Sequence, residues 1–248
     1  MPSISVIIST YNKPHFLEKV LTGYCFQTFN DFEIIIADDG SSNETKEMIT
    51  KFEQLIPQKI YHVWHEDNGF RKCKILNTAI MKSSNDYLVF SDGDCIPDSH
   101  FLETHSRLAQ KGYFLSGGHF PITEKVSNLL AKEDIKSQIC FTKKYLLKQG
   151  QPIGKNYFKL VKNQFLARFL DELTPTKATF NGNNSSQITL HLFPKKSLHS
   201  SIYSSSFPLS INTSVIYELK TAEPPVESYK PDSINLSIEL LSDFTFLF

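Results

Sequence analysis

Short apolar runs alternate with amphipathic segments through the first half of the chain. The run ISVIIST (4–10) is continuous and rich in β-branched residues, which is typical of a strand buried on both faces. Further strands are predicted at residues 32–37, within 60–70 and within 86–94, and a helix-like segment separates each from the next. Strands that alternate with helices at this spacing form a parallel sheet with helices on both faces. The sequence therefore predicts an α/β fold with a Rossmann-like, mostly parallel sheet flanked by helices.

The predicted helices carry recognisable start signals. Asn12 is a candidate cap for the first helix, and Pro14 suits its first turn. Ser41 and Glu44 stand in capping-box spacing at the start of the second helix. The remaining predicted elements are a helix at 71–83, a helix at 97–112, a strand at 113–120, and helices at 125–149 and 155–172.

Polar and acidic residues follow the predicted strands at the points where they end. In open parallel sheets, ligands bind beyond the carboxyl ends of the strands, where such residues meet. The strand-end residues of this chain are Thr10, Tyr11, Asp38, Asp39, Glu66, Asp67, Asp92 and Asp94. The sequence therefore predicts a polar ligand site at this edge of the sheet.

The segment YLVFSDGDCIP (87–97) carries an apolar strand into two carboxylates, Asp92 and Asp94, with one glycine between them. Side chains two residues apart on an extended strand point to the same side, and like charges at that spacing repel each other. Two interpretations are open. Either the pair is a solvated turn, since DGD is a good turn sequence, or it holds a divalent cation such as Mg²⁺ or Mn²⁺.

The other strand-end residues suit a nucleotide. Asp39 can accept hydrogen bonds from a heterocycle N–H, and Tyr11 offers a flat face to a base. Arg71 and Lys74, at the start of a predicted helix, can bind phosphates together with the helix N-terminus. With the carboxylate pair and its cation, these residues indicate a nucleotide-diphosphate site. Turn and cap chemistry in DDGSS is the simpler interpretation of the residues around Asp38.

Composition excludes several classes of protein. Basic and acidic residues balance at 26 each among 248 residues, which gives no electrostatic case for a nucleic-acid partner. The four cysteines are far apart, which argues against a zinc site or disulfide framework and suits a cytoplasmic protein. The first ten residues resemble a strand rather than a signal peptide, and no stretch approaches the roughly 18 apolar residues of a membrane span. A peripheral contact with a membrane is compatible with this composition.

Several segments, in order and at the expected spacing, resemble a known family. SVIISTYNKPHFLEKVLTGYCFQTFNDFEIIIADDGSSNET, followed by HEDNGFRKCKILNTAI and YLVFSDGDCIPD, is similar to the family 2 glycosyltransferases of GT-A fold. The resemblance is greatest to bacterial enzymes that build lipopolysaccharide cores and capsules, including the chondroitin-polymerase type. It covers residues 3–120 and continues to about residue 186.

The resemblance implies roles for the nucleotide-facing residues. Thr10 and Tyr11 match residues that line a uracil pocket in the family. Asp39, with Asp38 beside it, matches the carboxylate that bonds the uracil ring. Arg71 lies where the family has a basic residue close to the base or the diphosphate.

Asp92 and Asp94 occupy the family's DxD motif, in which the last carboxylate ligates the metal and the first contacts the ribose or sugar. The family moves a sugar from a nucleoside-diphosphate sugar to an acceptor hydroxyl, with inversion at the anomeric carbon. The resemblance therefore implies a metal-dependent transferase with a UDP-sugar donor, a glycan or glycolipid acceptor, and Mn²⁺ or Mg²⁺ as cofactor. It also implies a cytoplasmic location at the inner face of the cytoplasmic membrane.

The chain departs from the family after TFNGNNSS (179–186). A GFDE-like acidic motif, which carries the catalytic base in the family, is expected next, but QITLHLFPKK follows instead. Residues 187–248 contain no glycine and no arginine, and serine is abundant. We therefore predict a nucleotide-sugar-binding half (1–120), a helical continuation of the same domain (121–186) and an atypical tail (187–248) that is out of frame or poorly ordered.

Three classes of function remain, and no residue is assigned as the catalytic base. The first is a working glycosyltransferase, which the ordered motifs favour. The second is an inactive truncated or frameshifted remnant that at most binds UDP and metal, which the tail favours. The third is another doubly wound nucleotide enzyme, such as a nucleotidyltransferase. That class would carry a glycine-rich phosphate loop where this chain has STYNKP (9–14), so it ranks last.

Several conspicuous residues are expected to lie outside the site. Lys72 is interpreted as part of a solvated helix face, and Trp64 as a core residue. His62 and His65 are expected to be structural or exposed, and His105 to make no contact. The cysteines are interpreted as small buried hydrophobic residues.

Overall fold

The computed structural model describes residues 1–111, 113–160, 184–188 and 207–218. The strands in these residues are β1 (Ile4–Thr10), β2 (Phe32–Asp38), β3 (Ile60–Trp64), β4 (Tyr87–Asp92), β5 (Cys95–Pro97), β6 (Tyr113–Pro121), β7 (Ser185–Ile188) and β8 (Phe207–Glu218). The α-helices are α1 (Pro14–Tyr24), α2 (Asn43–Glu53), α3 (Lys72–Lys82), α4 (Phe101–Leu108), α5 (Glu124–Leu129), α6 (Lys132–Lys136) and α7 (Lys143–Lys148). Short 3₁₀ helices span Ile139–Phe141 and Lys155–Leu160.

One sheet contains all the described strands, in the order β3-β2-β1-β4-β7-β6-β8-β5. The first four positions are parallel to one another, with β1 between β2 and β4. Strand β7 then pairs antiparallel with both β4 and β6, while β8 runs parallel to β6 and antiparallel to β5. The predicted α/β fold, with a mostly parallel sheet, is confirmed.

Both faces of the sheet are covered by helices, as the continuous apolar strands predicted. Alternate residues of β1 point to opposite faces. Ile4, Val6 and Ile8 pack into a core with apolar residues of α1 and α2, whereas Ile7 packs into a second core with α3. A buried strand of this kind fixes its register, because a shift by one residue would exchange the two faces.

The helix starts differ from the predicted caps. Lys13, not Asn12, is the N-cap of α1, although Pro14 does occupy the first turn. Asn12 instead adopts a positive φ of 47°, and its Oδ1 accepts a hydrogen bond from Ser42 N at 2.9 Å. Helix α2 has Ser42 as its N-cap, so the expected capping box at Ser41 is also wrong. The asparagine therefore links the β1–α1 turn to the start of α2.

The predicted helix at 125–149 is interrupted in the structure. It is divided into α5, α6, a 3₁₀ turn and α7, and Gln138 before that turn has a positive φ of 58°. Thr142 begins a new helix, since its hydroxyl accepts from Tyr145 N. The predicted helix at 97–112 is also shorter than expected, because residues 95–97 form β5 and α4 starts at Phe101. The predicted helix at 155–172 has a 3₁₀ turn over its described residues, and the rest of it lies outside them.

A buried polar cluster connects α4 to β7. His105 is fully buried, with Nδ1 2.6 Å from Ser186 Oγ and Nε2 3.0 Å from Asn184 Oδ1, so the expectation that it makes no contact is wrong. Tyr87 OH lies 2.6 Å from the same Ser186 hydroxyl. Gly117 is required here, because a Cβ at this position would lie 2.2 Å from the Asn184 amide nitrogen. The buried side chains of Asn184 and Ser186 thus connect this part of the chain to α4 and β4.

The predicted tail contributes one long strand to the described structure. Strand β8 pairs with β6 over most of its length and with β5 near its end. Residues 189–206 and 219–248 lie outside the described residues, so the division at residue 186 stays a prediction. In the part of the chain that the structure describes, no helix is long and apolar enough to cross a membrane.

Candidate functional site

The strand ends β1, β2 and β4 meet at the carboxyl edge of the sheet. In the parallel register, Thr10 is level with Asp38, and Ser9 is level with Asp92. Asp39 N donates to Thr10 O at 3.0 Å, which fastens the turn after β2 to the end of β1. The predicted site residues on these three strands are therefore brought together.

Two glycines allow this close approach. A Cβ at Gly93, between the two carboxylates of the DGD segment, would lie 2.9 Å from Ser9 O and 3.0 Å from Thr10 Oγ1. Gly40, after the Asp pair of β2, has φ +100°, and a Cβ there would lie 2.6 Å from Asp67 Cα. The positive φ alone favours glycine at this position. The turn at Gly93 thus lies close against the end of β1, and the turn at Gly40 against the loop that contains Asp67.

The Asp39 carboxylate is held from two sides. Its Oδ1 lies 2.6 Å from His65 Nε2, and its Oδ2 accepts from Arg71 N at 2.9 Å. Asp39 is only 6% exposed. Each carboxylate oxygen has two lone pairs, so both oxygens can accept a further hydrogen bond from a ligand. His65 is structural, as expected, and its structural role is to orient a predicted binding residue.

Asp38 is turned inward. Its Oδ1 accepts from Ser41 N at 2.8 Å, and its Oδ2 lies 2.8 Å from His62 Nε2. The residue is fully buried. These contacts form the turn that carries Asp39, as the turn interpretation of DDGSS predicted. Direct contact of Asp38 with a nucleotide sugar stays a prediction.

Aromatic side chains lie exposed around the same edge. Tyr11 OH donates to Asp67 Oδ2 at 2.8 Å, and this hydrogen bond to the carboxylate raises the pKa of the Tyr11 phenol. Almost half of Tyr11 is exposed, which leaves surface for a base to stack on. Trp64 is 52% exposed, with its indole N–H donating to Ser41 O, so its assignment to the core is wrong. Trp64 lies at the end of an edge strand, where the apolar packing no longer covers it.

Lys72 and Asp92 form an ion pair in the site. Lys72 Nζ lies 2.6 Å from Asp92 Oδ1, and Ser9 Oγ donates to the same oxygen at 2.5 Å. The interpretation of Lys72 as a solvated helix residue is therefore wrong. Burial lowers the pKa of Lys72, but the charges of Asp92 and Asp94 outweigh burial and leave that pKa raised. The positive charge beside the carboxylate pair is thus supplied by the chain itself.

Arg71 and Lys74 stand at the start of α3 as predicted. The Arg71 guanidinium donates to Glu66 O through Nη2, while its Nε is buried without a hydrogen-bond partner among the described residues. Lys74 is exposed on the first turn of α3. Their contact with phosphate stays a prediction, which the buried and unbonded Arg71 Nε supports.

The DGD segment and the following cysteine form a candidate metal centre. One carboxylate oxygen each from Asp92 and Asp94 and the Cys95 sulfur lie within 4.8 Å of one another. Carboxylate oxygens are the ligands that Mg²⁺ and Mn²⁺ prefer, so the residues fit the implied cation. Thr10 Oγ1, next to this segment, is buried without a partner among the described residues, which suits a polar contact with a ligand at this position. Cys95 is buried, as expected of the cysteines, whereas Cys73 is exposed, contrary to that expectation.

Comparison with known sequences decides the family. The sequence model described as "Glycosyl transferase family 2" matches residues 5–169, which include every predicted site residue. The chain belongs to glycosyl transferase family 2. The resemblance that the sequence motifs indicated is therefore confirmed.

Two relatives among the known proteins illustrate the similarity. The Campylobacter jejuni "GalNAc(5)-diNAcBac-PP-undecaprenol beta-1,3-glucosyltransferase" is 30% identical over 204 residues, which are 80% of this chain and 62% of the relative. The Escherichia coli "Chondroitin synthase" is 31% identical over 106 residues, which are 42% of this chain and 15% of the relative. The chain thus spans less than two-thirds of the length of these relatives.

Solved structures of similar proteins include S. aureus TarS 1–349, at TM-score 0.44 and 21% identity over 49% of this chain and 36% of that one. The mannosyltransferase PcManGT from Pyrobaculum calidifontis, solved with GDP-Man and Mn²⁺, has TM-score 0.43 and 23% identity. That similarity covers 48% of this chain and 36% of PcManGT.

Proposed function

We propose that this chain binds a UDP-sugar with a divalent cation and transfers the sugar to a glycan or glycolipid acceptor. One observation carries the proposal. An oriented, buried Asp39 and the Asp92–Asp94 pair lie at the same carboxyl edge of a sheet whose chain belongs to family 2. A polar site at this edge is where open parallel sheets bind their ligands.

Uracil recognition is assigned to the β1 and β2 ends. His65 and the Arg71 amide hold the Asp39 carboxylate in one orientation, so it can accept from a ring N–H at little entropic cost. The exposed ring of Tyr11 offers the stacking face, and Thr10, at the end of β1, is assigned to the same pocket. Asp38 supports this group by forming the turn beneath it.

The diphosphate is assigned to the β4 end and the start of α3. Asp94 would ligate Mn²⁺ or Mg²⁺, with Asp92 as second ligand or as a contact to the ribose or sugar. The cation would neutralise the departing diphosphate. Lys72, Arg71 and Lys74 place three positive charges at the start of α3, where they suit the remaining phosphate oxygens.

Transfer with inversion requires a base for the acceptor hydroxyl. The chain lacks the GFDE-like motif that carries this base in the family, and Glu223, Glu227 and Glu239 lie outside the described residues. Glu218, at the end of β8, is within them. The abrupt change in composition after residue 186 favours a second candidate function, a remnant that binds UDP and metal without transfer.

The acceptor we propose is a polyprenol-linked or surface glycan, with the chain acting at the inner face of the cytoplasmic membrane. The support is the name of the Campylobacter relative, which specifies a PP-undecaprenol-linked acceptor.

A turnover assay separates the two candidates. The purified chain would be incubated with Mn²⁺, a panel of UDP-hexoses and UDP-hexosamines, and a bacterial lipid-linked glycan extract, and UDP release would be measured. Acceptor-dependent release that is abolished by Asp94→Asn and unaffected by Asp31→Asn supports the transferase. Asp31 is a matched control, because it is an exposed aspartate before β2, at the opposite edge of the sheet. A chain that binds UDP but releases no UDP from any of the donor sugars supports the remnant.

A further inference from the structure

We propose that Cys95 is a third ligand of the cation site, so that this site also binds thiophilic divalent cations such as Zn²⁺ and Cd²⁺. The inference rests on the proposed function, because it extends the Asp92–Asp94 site. It gives a role in the site to Cys95, which the sequence analysis interprets as a small buried hydrophobic residue.

The position of the sulfur supports this. Cys95 follows Asp94 directly, and its Sγ lies 3.6 Å from Asp94 Oδ1. The sulfur and one oxygen of each aspartate lie within 4.8 Å of one another. Zinc–oxygen bonds of about 2.1 Å and zinc–sulfur bonds of about 2.3 Å place two ligands of one ion at most about 4.4 Å apart. The 4.8 Å bound exceeds this limit by about 0.4 Å, so the three atoms would move closer together on binding one cation.

An independent observation points to a ligand here. Thr10 is 7% exposed, and its Oγ1 has no hydrogen-bond partner among the described residues. The same oxygen lies 3.0 Å from the position of a Cβ at Gly93, so it faces the turn that joins the two carboxylates. Buried polar groups are nearly always bonded, and a bound cation or its water would satisfy this hydroxyl.

A positive charge already lies beside this cluster. Lys72 Nζ is 2.6 Å from Oδ1 of Asp92, one of the three candidate ligand residues. A divalent cation in this position would bring two positive charges where the Lys72 ammonium has one. The Lys72 ammonium would then leave Asp92 Oδ1, and its four-carbon stem lets it turn away.

Coordination by Cys95 follows ordinary thiol chemistry. The S–H bond breaks, the proton passes to solvent, and the sulfur lone pair forms the bond to the metal. Thiolates favour Zn²⁺ and related soft ions, whereas an all-oxygen site favours Mg²⁺ and Mn²⁺. A mixed site of two carboxylates and one thiolate therefore accepts both classes and holds the softer ions more tightly.

The test is a Cd²⁺ titration of the purified full chain, followed by the ultraviolet charge-transfer band of Cd²⁺–thiolate bonds. We expect a saturable band that Cys95→Ser abolishes and excess Mn²⁺ suppresses. Loss of a residue that only hydrogen-bonds to a metal ligand weakens metal binding by about 10–100-fold. Asp94→Asn, which removes a ligand itself, should weaken Cd²⁺ binding at least as much. Cys140→Ser is the matched control, since Cys140 is equally buried but lies outside the Asp92–Asp94–Cys95 cluster.

Each other outcome overturns the inference. These are the absence of a band, a band that persists in Cys95→Ser, and a band that neither Mn²⁺ nor Asp94→Asn affects. A band that neither Mn²⁺ nor Asp94→Asn affects contradicts the inference even where Cys95→Ser fails to fold. UDP titrated with Mn²⁺ into the same wild-type sample keeps the two proposals separate. A Cys95-dependent band without UDP binding contradicts the proposed function alone, and UDP binding without the band contradicts this inference alone.

Discussion

Lys72 Nζ lies 2.6 Å from Asp92 Oδ1, at the carboxyl edge where β4 ends. Two aspartates separated by one glycine would repel each other there, and the lysine offsets part of that repulsion. The pair is half-buried, with side-chain exposures of 33% for Lys72 and 25% for Asp92. The carboxylate pair is therefore neither a fully solvated turn nor an unbalanced charge, and a divalent cation bound at Asp92, as proposed, would compete with Lys72.

This competition predicts the effect of Lys72→Met on metal binding. Without the ammonium, Mn²⁺ should bind the chain more tightly in the absence of UDP. An ion pair of this exposure contributes up to about 1 kcal/mol, so the gain should be about fivefold in affinity. Calorimetric titration of Mn²⁺ alone measures it. Lys82→Met, at the other end of α3, should change nothing, and weaker Mn²⁺ binding in Lys72→Met would contradict the account.

The contact between His65 and Asp39 predicts that a change at His65 affects nucleotide binding but not metal binding. His65→Ala removes the contact with Asp39 Oδ1 and frees that carboxylate to rotate. UDP affinity should fall about tenfold, which corresponds to about 1.4 kcal/mol, while Mn²⁺ affinity without UDP stays unchanged. His65→Gln places an amide N–H near the position of Nε2 and should restore part of the affinity. Equal loss in the two variants, or loss of Mn²⁺ binding, would show that His65 does not act through Asp39.

His105 predicts a loss of stability in mild acid. Burial lowers the pKa of His105 from 6.5 to about 4, so the folded state keeps the ring neutral while the unfolded state takes up a proton. The contribution of the neutral His105 ring to the free energy of unfolding is therefore fully present above pH 6.5. It is lost as the pH falls from 6.5 towards 4. The loss amounts to about 3 kcal/mol over this range. Urea unfolding at several pH values measures it.

The control for this prediction is His105→Gln. The variant is less stable at neutral pH, because the contacts with Asn184 and Ser186 change. Its free energy of unfolding should nevertheless depend less steeply on pH between 6.5 and 4 than that of the wild type. An identical pH dependence in the two proteins would show that His105 titrates alike in the folded and unfolded states.

Gly93 predicts that the DGD turn tolerates no side chain. A Cβ in Gly93→Ala would meet backbone and side-chain atoms of β1 at 2.9–3.1 Å, so the turn would have to move away from Thr10. We expect destabilisation by about 1–3 kcal/mol and a loss of Mn²⁺ binding. Gly154→Ala is the control, since nothing lies within 4 Å of the added atom. Wild-type stability and wild-type Mn²⁺ binding in Gly93→Ala would show that this close approach is unnecessary.

The sheet and the strand-end site followed from local sequence patterns. Runs such as ISVIIST are typical of strands buried on both faces of a parallel sheet, and such sheets bring their strand ends to one edge. Asp39, Asp92 and Asp94 could therefore be placed in a shared site without coordinates. The caps and helix lengths were less predictable, because Asn12 and Gln138 adopt positive φ values that tertiary contacts select.

The residues that sequence reasoning missed depend on contacts between distant segments. Lys72 looks solvated on a helical wheel, and only the approach of α3 to β4 brings it to Asp92. His105 contacts segment 184–188, about 80 residues away in sequence. For the proposed role of Cys95, the DGDC sequence does contain a signal, since a thiol directly after two carboxylates has the chemistry of a metal ligand.

The most direct test of the central claim is calorimetric titration of UDP into the purified chain, with Mn²⁺ and again with EDTA. The account predicts saturable binding that requires Mn²⁺, is lost in Asp94→Asn, is strongly weakened in Asp39→Asn and is unchanged in Asp31→Asn. Absence of UDP binding with Mn²⁺ present would contradict the account. Binding of UDP by Asp94→Asn or Asp39→Asn as tight as that of the wild type would contradict it as well.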